Sequence, residues 1–136
     1  MNTPTELPSA LAPASYLHDD PAQPFAVDRR IFTDPALFQR ELEHIFEGSW
    51  LYLAHDSQLP RPGDWFTLHM GRQPVVLMRG QDGEIRGFVN ACSHRGAQLC
   101  RTQRGNAKFL TCSYHGWVFD SAGRNVEIKD RPTGAY

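Results

Sequence analysis

Residues 90–97 read "NACSHRGA" and residues 111–118 read "TCSYHGWV". Each stretch sets a cysteine close to a histidine, Cys92 with His94 and Cys112 with His115, in a chain that has three cysteines in all. The pattern is C-x-H-x17-C-x2-H. In an extended loop Cys92 and His94 project to the same side with attachment points roughly 6–7 Å apart, which is wide for one metal ion and comfortable for two. The C-x2-H spacing of Cys112 and His115 suits a tight turn that aims both side chains at one centre. Two chemistries use two thiols and two imidazoles. One is a single tetrahedral zinc, which usually announces itself with a C-x2-4-C knuckle. The other is a two-iron centre in which one iron takes both thiolates and the second takes both imidazoles. One thiol and one imidazole from each loop favours the iron–sulfur centre, with zinc as the competitor.

Around these loops the chain reads as sheet. The segments "WLYLAH", "DWFTLHM", "PVVLMR" and "IRGFVNA" are short and rich in aromatic and β-branched residues, and "PRPGD", "GRQ" and "GQDG" between them are turn chemistry. This predicts an antiparallel meander. "KFLTC" and "WVFD" follow as two further short strands, and "DSAGRN" is a hairpin turn into "VEIKD".

Ahead of the sheet, "TDPALFQRELEHIFEG" offers Thr33 or Asp34 as N-cap, Pro35 at the first helical position and Gly48 as a stop. Leu37, Phe38, Leu42, Ile45 and Phe46 recur at helical spacing, so one short amphipathic helix is expected over 31–48. Residues 1–30 hold half of the ten prolines and few large apolar residues, the composition of an arm that wraps a surface or stays disordered. The expected order is therefore arm, helix, and an all-β domain over 49–136.

Composition narrows the function. With 14 Lys+Arg against 15 Asp+Glu the chain lacks the basic field that recruits nucleic acid. No apolar run reaches the roughly 20 residues of a membrane span, and no signal peptide opens the chain, so the cytoplasm is the default compartment. In that reducing setting three cysteines point to ligands or buried thiols before disulfides.

"CSHRG", with seventeen positions between His94 and the cysteine of "CSYHGW", resembles the signature of Rieske [2Fe–2S] domains. The resemblance implies an antiparallel β-sandwich with two cluster-binding loops, with Cys92 and Cys112 on one iron and His94 and His115 on the other. Respiratory Rieske proteins add one cysteine per loop to make a bracing disulfide. Here Ala97, Ser113 and Tyr114 occupy such loop positions. "HIFEGSWLYLAHDSQLP", "GRQPVVLMR" and "NACSHRGAQLC" are similar to the large (α) subunits of aromatic-ring-hydroxylating dioxygenases, in the branch that acts on benzoate, toluate, halobenzoate and anthranilate. That branch implies a small β subunit, a homo-trimeric or hetero-hexameric assembly, and electrons from NADH through a flavin and iron–sulfur reductase.

The complete enzymes of that family also need a mononuclear Fe(II) on two histidines and a carboxylate. His18, His44, His55 and His69 are scattered and supply no such set. The chain is therefore expected to stop before the catalytic domain and before the last strands of the sandwich, with electron transfer rather than oxygen activation as its own role. A free-standing Rieske ferredoxin is the alternative, and a zinc-stabilised binding module is the rival from another class. Cys100 reads as a small buried thiol, His55 and His69 as hydrogen-bonded structural residues, His44 as solvated and Trp117 as a candidate apolar lid. Gly96 and Gly116 read as turn residues that free nearby N–H groups to donate to sulfur.

Overall fold

A computed structural model describes residues 21–22 and 26–134, which fall into two units split after Trp50. His18 and most of the Pro-rich arm lie outside the described residues.

In the first unit, Asp34 caps helix α1 (Pro35–Glu41) by accepting hydrogen bonds from the N–H groups of Ala36 and Leu37, with Pro35 entering the first turn as its missing N–H allows. The helix does not run on regularly to Gly48. It passes into a π-helical turn, Leu42–Phe46, closed by Glu47 N–H donating to the Leu42 carbonyl. The wider i→i+5 spacing breaks the expected stripe: Leu42 is buried, whereas Ile45 and Phe46 are 50% and 42% exposed. Gly48 ends the element because a Cβ there would stand 2.8 Å from the Glu43 carbonyl oxygen.

The second unit carries two antiparallel sheets. The larger is built from β1 (Asp64–Met70), β2 (Gln73–Arg79), β3 (Ile85–Val89) and β4 (Arg104–Asn106) in the order β3-β2-β1-β4. The first three strands form the expected meander. The fourth returns by a long crossover to lie beside β1, which makes the sheet a Greek key. The smaller sheet, β5 (Leu110–Thr111), β6 (Val118–Phe119) and β7 (Asn125–Glu127), is ordered β5-β6-β7.

Side-chain alternation divides the large sheet into two faces. Val76 and Met78 of β2 join Leu110, Phe119, Cys92, Cys100 and Cys112 in one buried cluster, while Phe66 and Leu77 pack with Leu59 on the opposite face. Register agrees: Trp65 sits opposite Met78, and Phe66 opposite Leu77. Covered on both faces, β2 reads as the continuous apolar run "VVLM" instead of alternating.

One expected strand is absent. "WLYLAH" lies in no regular element and leads into a 3-10 turn, Asp56–Gln58. Leu53 and Ala54 still pack against the Leu59 cluster, so the apolar residues of this segment serve packing, without ladder pairing. β4, in contrast, is a strand outside the segments expected from sequence. Gly105 is admitted opposite Trp65 because the Trp65 indole lies where a Cβ would project.

Two hairpins share one turn. Gly80 N–H donates to the Glu84 carbonyl and Asp120 N–H to the Arg124 carbonyl, with Gly83 and Gly123 at φ +85° and +77°. This is the three-residue hairpin whose left-handed position selects glycine.

Candidate metal centre

The β3–β4 crossover carries Cys92 and His94, and the β5–β6 connection carries Cys112 and His115. Both are tight turns of the same construction, which corrects the expectation of an extended first loop. Cys92 N–H donates to the Ala97 carbonyl, and Gly96 N–H to the Cys92 carbonyl. In the second loop Cys112 N–H donates to the Trp117 carbonyl, and Gly116 N–H to the Cys112 carbonyl. Gly96 and Gly116 stand at φ +73° and +72°, a region that costs an L side chain roughly 1–2 kcal/mol.

Each turn points two backbone N–H groups at its own thiol: those of His94 and Arg95 at Cys92, and those of Tyr114 and His115 at Cys112. The two thiols are buried, free and within hydrogen-bonding reach of each other. Burial pushes the Cys92 thiol up, and the neighbouring Cys112 adds to the rise. At Cys112 burial also acts upward and is the largest single influence, but the N–H groups of Tyr114 and His115 and the Cys92 thiol outweigh it and lower the net value. The Cys112 sulfur is thus the readier of the two to carry negative charge.

The imidazoles form a second pair. Their ring centroids are 4.6 Å apart at an interplanar angle of 64°. Burial, then the charge of Arg95, hold His94 below the usual histidine range, which keeps its ring neutral as a metal ligand must be. Nδ1 of His115 is buried and has no hydrogen-bond partner among the described residues, an orphaned lone pair suited to a metal. Trp117 stacks on His94 with centroids 4.7 Å apart and planes within 9°, and Tyr114 lies against His115 at 3.9 Å.

These donors suit a two-metal cluster. They present as a thiol pair and an imidazole pair, and among the described residues no group of three or more His, Cys, Asp or Glu converges on one metal-ion position. The surroundings favour negative charge as well: residues 85–119 contain no Asp or Glu and five cations, Arg86, Arg95, Arg101, Arg104 and Lys108.

Residues 49–134 match the family model of the Rieske [2Fe–2S] domain. The chain belongs to that family. Its Rieske domain brings with it the [2Fe–2S] cluster as cofactor and an all-β fold. The chain is 56% identical over 107 residues to the α subunit of toluate 1,2-dioxygenase from Pseudomonas putida, covering 79% of this chain and 23% of that one. It is 46% identical over 112 residues to the large subunit of 2-halobenzoate 1,2-dioxygenase from Burkholderia cepacia, covering 82% and 24%. Among solved structures, naphthalene 1,2-dioxygenase with indole bound superposes with a TM-score of 0.71 at 46% identity, over 77% of this chain and 24% of that one. The chain thus spans about a quarter of the length of these relatives.

Other residues sort by contact. Cys100 lies in the core of the Rieske domain, where burial raises its thiol to about 11, so it stays protonated and inert. His55 caps the 3-10 turn by accepting from Ser57 N–H, while His44 and His69 are exposed. Sequence reading passed over Asn90, which is 1% exposed. Its amide donates to the Cys100 carbonyl and accepts from Cys100 N–H, both at 2.9 Å, closing the base of the first loop. Tyr114, at one of the loop positions without a bracing cysteine, covers His115. Among the described residues no helix is long and apolar enough to cross a membrane.

Proposed function

We propose that Cys92 and Cys112 hold one iron and His94 and His115 the other, and that the chain is the electron-transfer part of an aromatic-ring-hydroxylating dioxygenase α subunit acting on benzoate-type carboxylates. The observation that carries this reading is the pair of matching turns that deliver two thiols and two imidazoles to one place. The similarity to toluate and 2-halobenzoate dioxygenases supports the substrate class.

When bound, the cluster supplies one-electron exchange at a potential raised by two neutral imidazole ligands. The chain's own residues do the rest. Burial of Cys92 and Cys112 keeps water from the sulfurs, and the four N–H groups aimed at them stabilise thiolate charge. His94 and His115 are half-buried, so the imidazole side is the route by which electrons enter or leave. In the complete enzyme the acceptor is a mononuclear iron on two histidines and a carboxylate, which performs the O2-dependent cis-dihydroxylation. The donor is an NADH-dependent flavin and iron–sulfur reductase, and the assembly is a hetero-hexamer with a small β subunit or a homo-trimer of the large subunit alone. A similar quaternary ammonium monooxygenase is described in terms of inter-subunit electron transfer, and such a route fits here too. The setting is the cytoplasm, where thiols stay reduced.

Anaerobically purified protein tests this directly. It should contain iron and acid-labile sulfide in equal amounts and, when reduced, show the low average g-value of a mixed-ligand [2Fe–2S] centre. One equivalent of zinc without iron would overturn the assignment. The chain alone should form no cis-diol from benzoate, and NADH-dependent diol formation by it would contradict the placing of catalysis elsewhere.

A further inference from the structure

The two cluster loops have no covalent tie near the site, because all three cysteines are free. The backbone hydrogen bonds that close each turn are internal to that turn. Side chains therefore carry the connection between the loops. The thiols meet inside the core, His94 and His115 meet edge to face, and the Trp117 indole of the second loop lies parallel on the His94 ring of the first.

Trp117 is well placed to hold another ring still. Its carbonyl accepts the Cys112 N–H that closes the second turn, and its indole packs against the buried core cluster. A large ring fixed at both backbone and side chain sets the plane of whatever stacks on it. The equivalent place in the first turn is Ala97, so no such brace runs in the opposite direction.

We infer that Trp117 is a positioning residue that braces the first loop against the second and fixes the plane of the His94 imidazole. This rests on the reading of His94 and His115 as cluster ligands. The brace is one-sided. The ring stacked on His94 comes from the other loop, whereas His115 is covered by Tyr114 from its own turn.

The test compares the wild-type holoprotein with Trp117→Leu and Trp117→Phe, and with Trp50→Leu at a fully exposed tryptophan as control. Proteins labelled with 15N-histidine are read by pulsed EPR of the reduced cluster. In Trp117→Leu one of the two histidine-nitrogen couplings should change while the other holds, and cluster release to a chelator should be roughly threefold to tenfold faster, as the loss of one aromatic pair predicts. Trp117→Phe should restore most of both properties, and Trp50→Leu should match wild type. Should Trp117→Leu not fold, Trp117→Met keeps the apolar bulk without a ring plane and reads the same coupling. Unchanged couplings and release in the ringless variant would overturn the brace, as would equal changes in both couplings. Wild-type protein without a [2Fe–2S] signal would instead overturn the ligand reading beneath it.

Discussion

The turns at 92–97 and 112–117 have the same backbone and different side chains. In both, the cysteine carbonyl accepts from a glycine four residues on and the cysteine N–H donates to the carbonyl five residues on. In both, the N–H groups two and three positions after the cysteine face its sulfur. Yet histidine occupies the third place in the first turn and the fourth in the second, and the sixth place is Ala97 in one and Trp117 in the other. The sulfur environment is thus a backbone property, repeated by repeating a turn. The imidazole environment is a side-chain property, set separately in each loop.

The sharpest way to break the equivalence is to remove the sulfurs. Cys92→Ser and Cys112→Ser should each abolish the cluster, seen as loss of visible absorption and of acid-labile sulfide, because either serine leaves the iron they share with one thiolate instead of two. Retention of a stable cluster in only one of them would show that the two turns are not functionally matched.

Asn90 tests how the turns are anchored. The first turn hangs from a long crossover whose base is closed by the Asn90–Cys100 pair, while the second is the connection of paired strands β5 and β6. Asn90→Ala leaves a buried N–H and a buried carbonyl of Cys100 without their partner. It should cost about 2–4 kcal/mol in urea unfolding of the holoprotein. A loss below about 1 kcal/mol would mean that water takes over both bonds.

The glycines give a smaller contrast. Gly96→Ala meets no atom within 4 Å and should cost only the left-handed backbone penalty, about 1–2 kcal/mol. At Gly116 a new Cβ would also come within 3.3 Å of the Lys129 stem, so Gly116→Ala should cost more. Equal melting temperatures of the two variants would show that the Lys129 chain yields freely.

What could be read in advance follows this same division. Residue types carry the donor set, so Cys92, His94, Cys112 and His115 stand out by spacing alone. The matching of the turns is hidden, because the two histidines sit at different places and the shared feature is a hydrogen-bond pattern. Asn90 is hidden for a related reason: an asparagine beside a loop reads as turn chemistry, and only burial reveals it as a clasp. "WLYLAH" departs from the strand expectation because aromatic and apolar composition reports packing and says nothing of a partner strand. β4 was missed because "RGN" has no strand propensity of its own, and the Trp65 ring supplies the contact that its glycine lacks.

The cluster segment carries no acid, whereas the turns that flank it each hold an aspartate against an arginine. Asp82, in the β2–β3 turn, is held down to about 2 by the Arg86 guanidinium and then by Glu84 N–H. Burial acts upward on Asp120, yet Arg124 N–H, the Arg124 guanidinium and Ala122 N–H outweigh it and lower the net value. Asn106 and then Arg61 N–H lower Asp64. A carboxyl held below its unfolded value of 3.8 contributes stability that is complete above that pH and is lost as pH falls through the folded value. For Asp82 the window runs from near 4 down to about 2. The melting temperature of the holoprotein should therefore fall across that interval. Asp82→Asn should reduce the fall while leaving the neutral-pH value only slightly lower, since the pair with Arg86 is solvent-exposed and screened. Taking the difference between variant and wild type removes the acid lability of the cluster itself, which both share. Parallel curves would show that the Asp82–Arg86 pair contributes nothing to the fold, and that the β2–β3 turn is held by its backbone and by the Arg79 guanidinium, which donates to the Gly83 carbonyl.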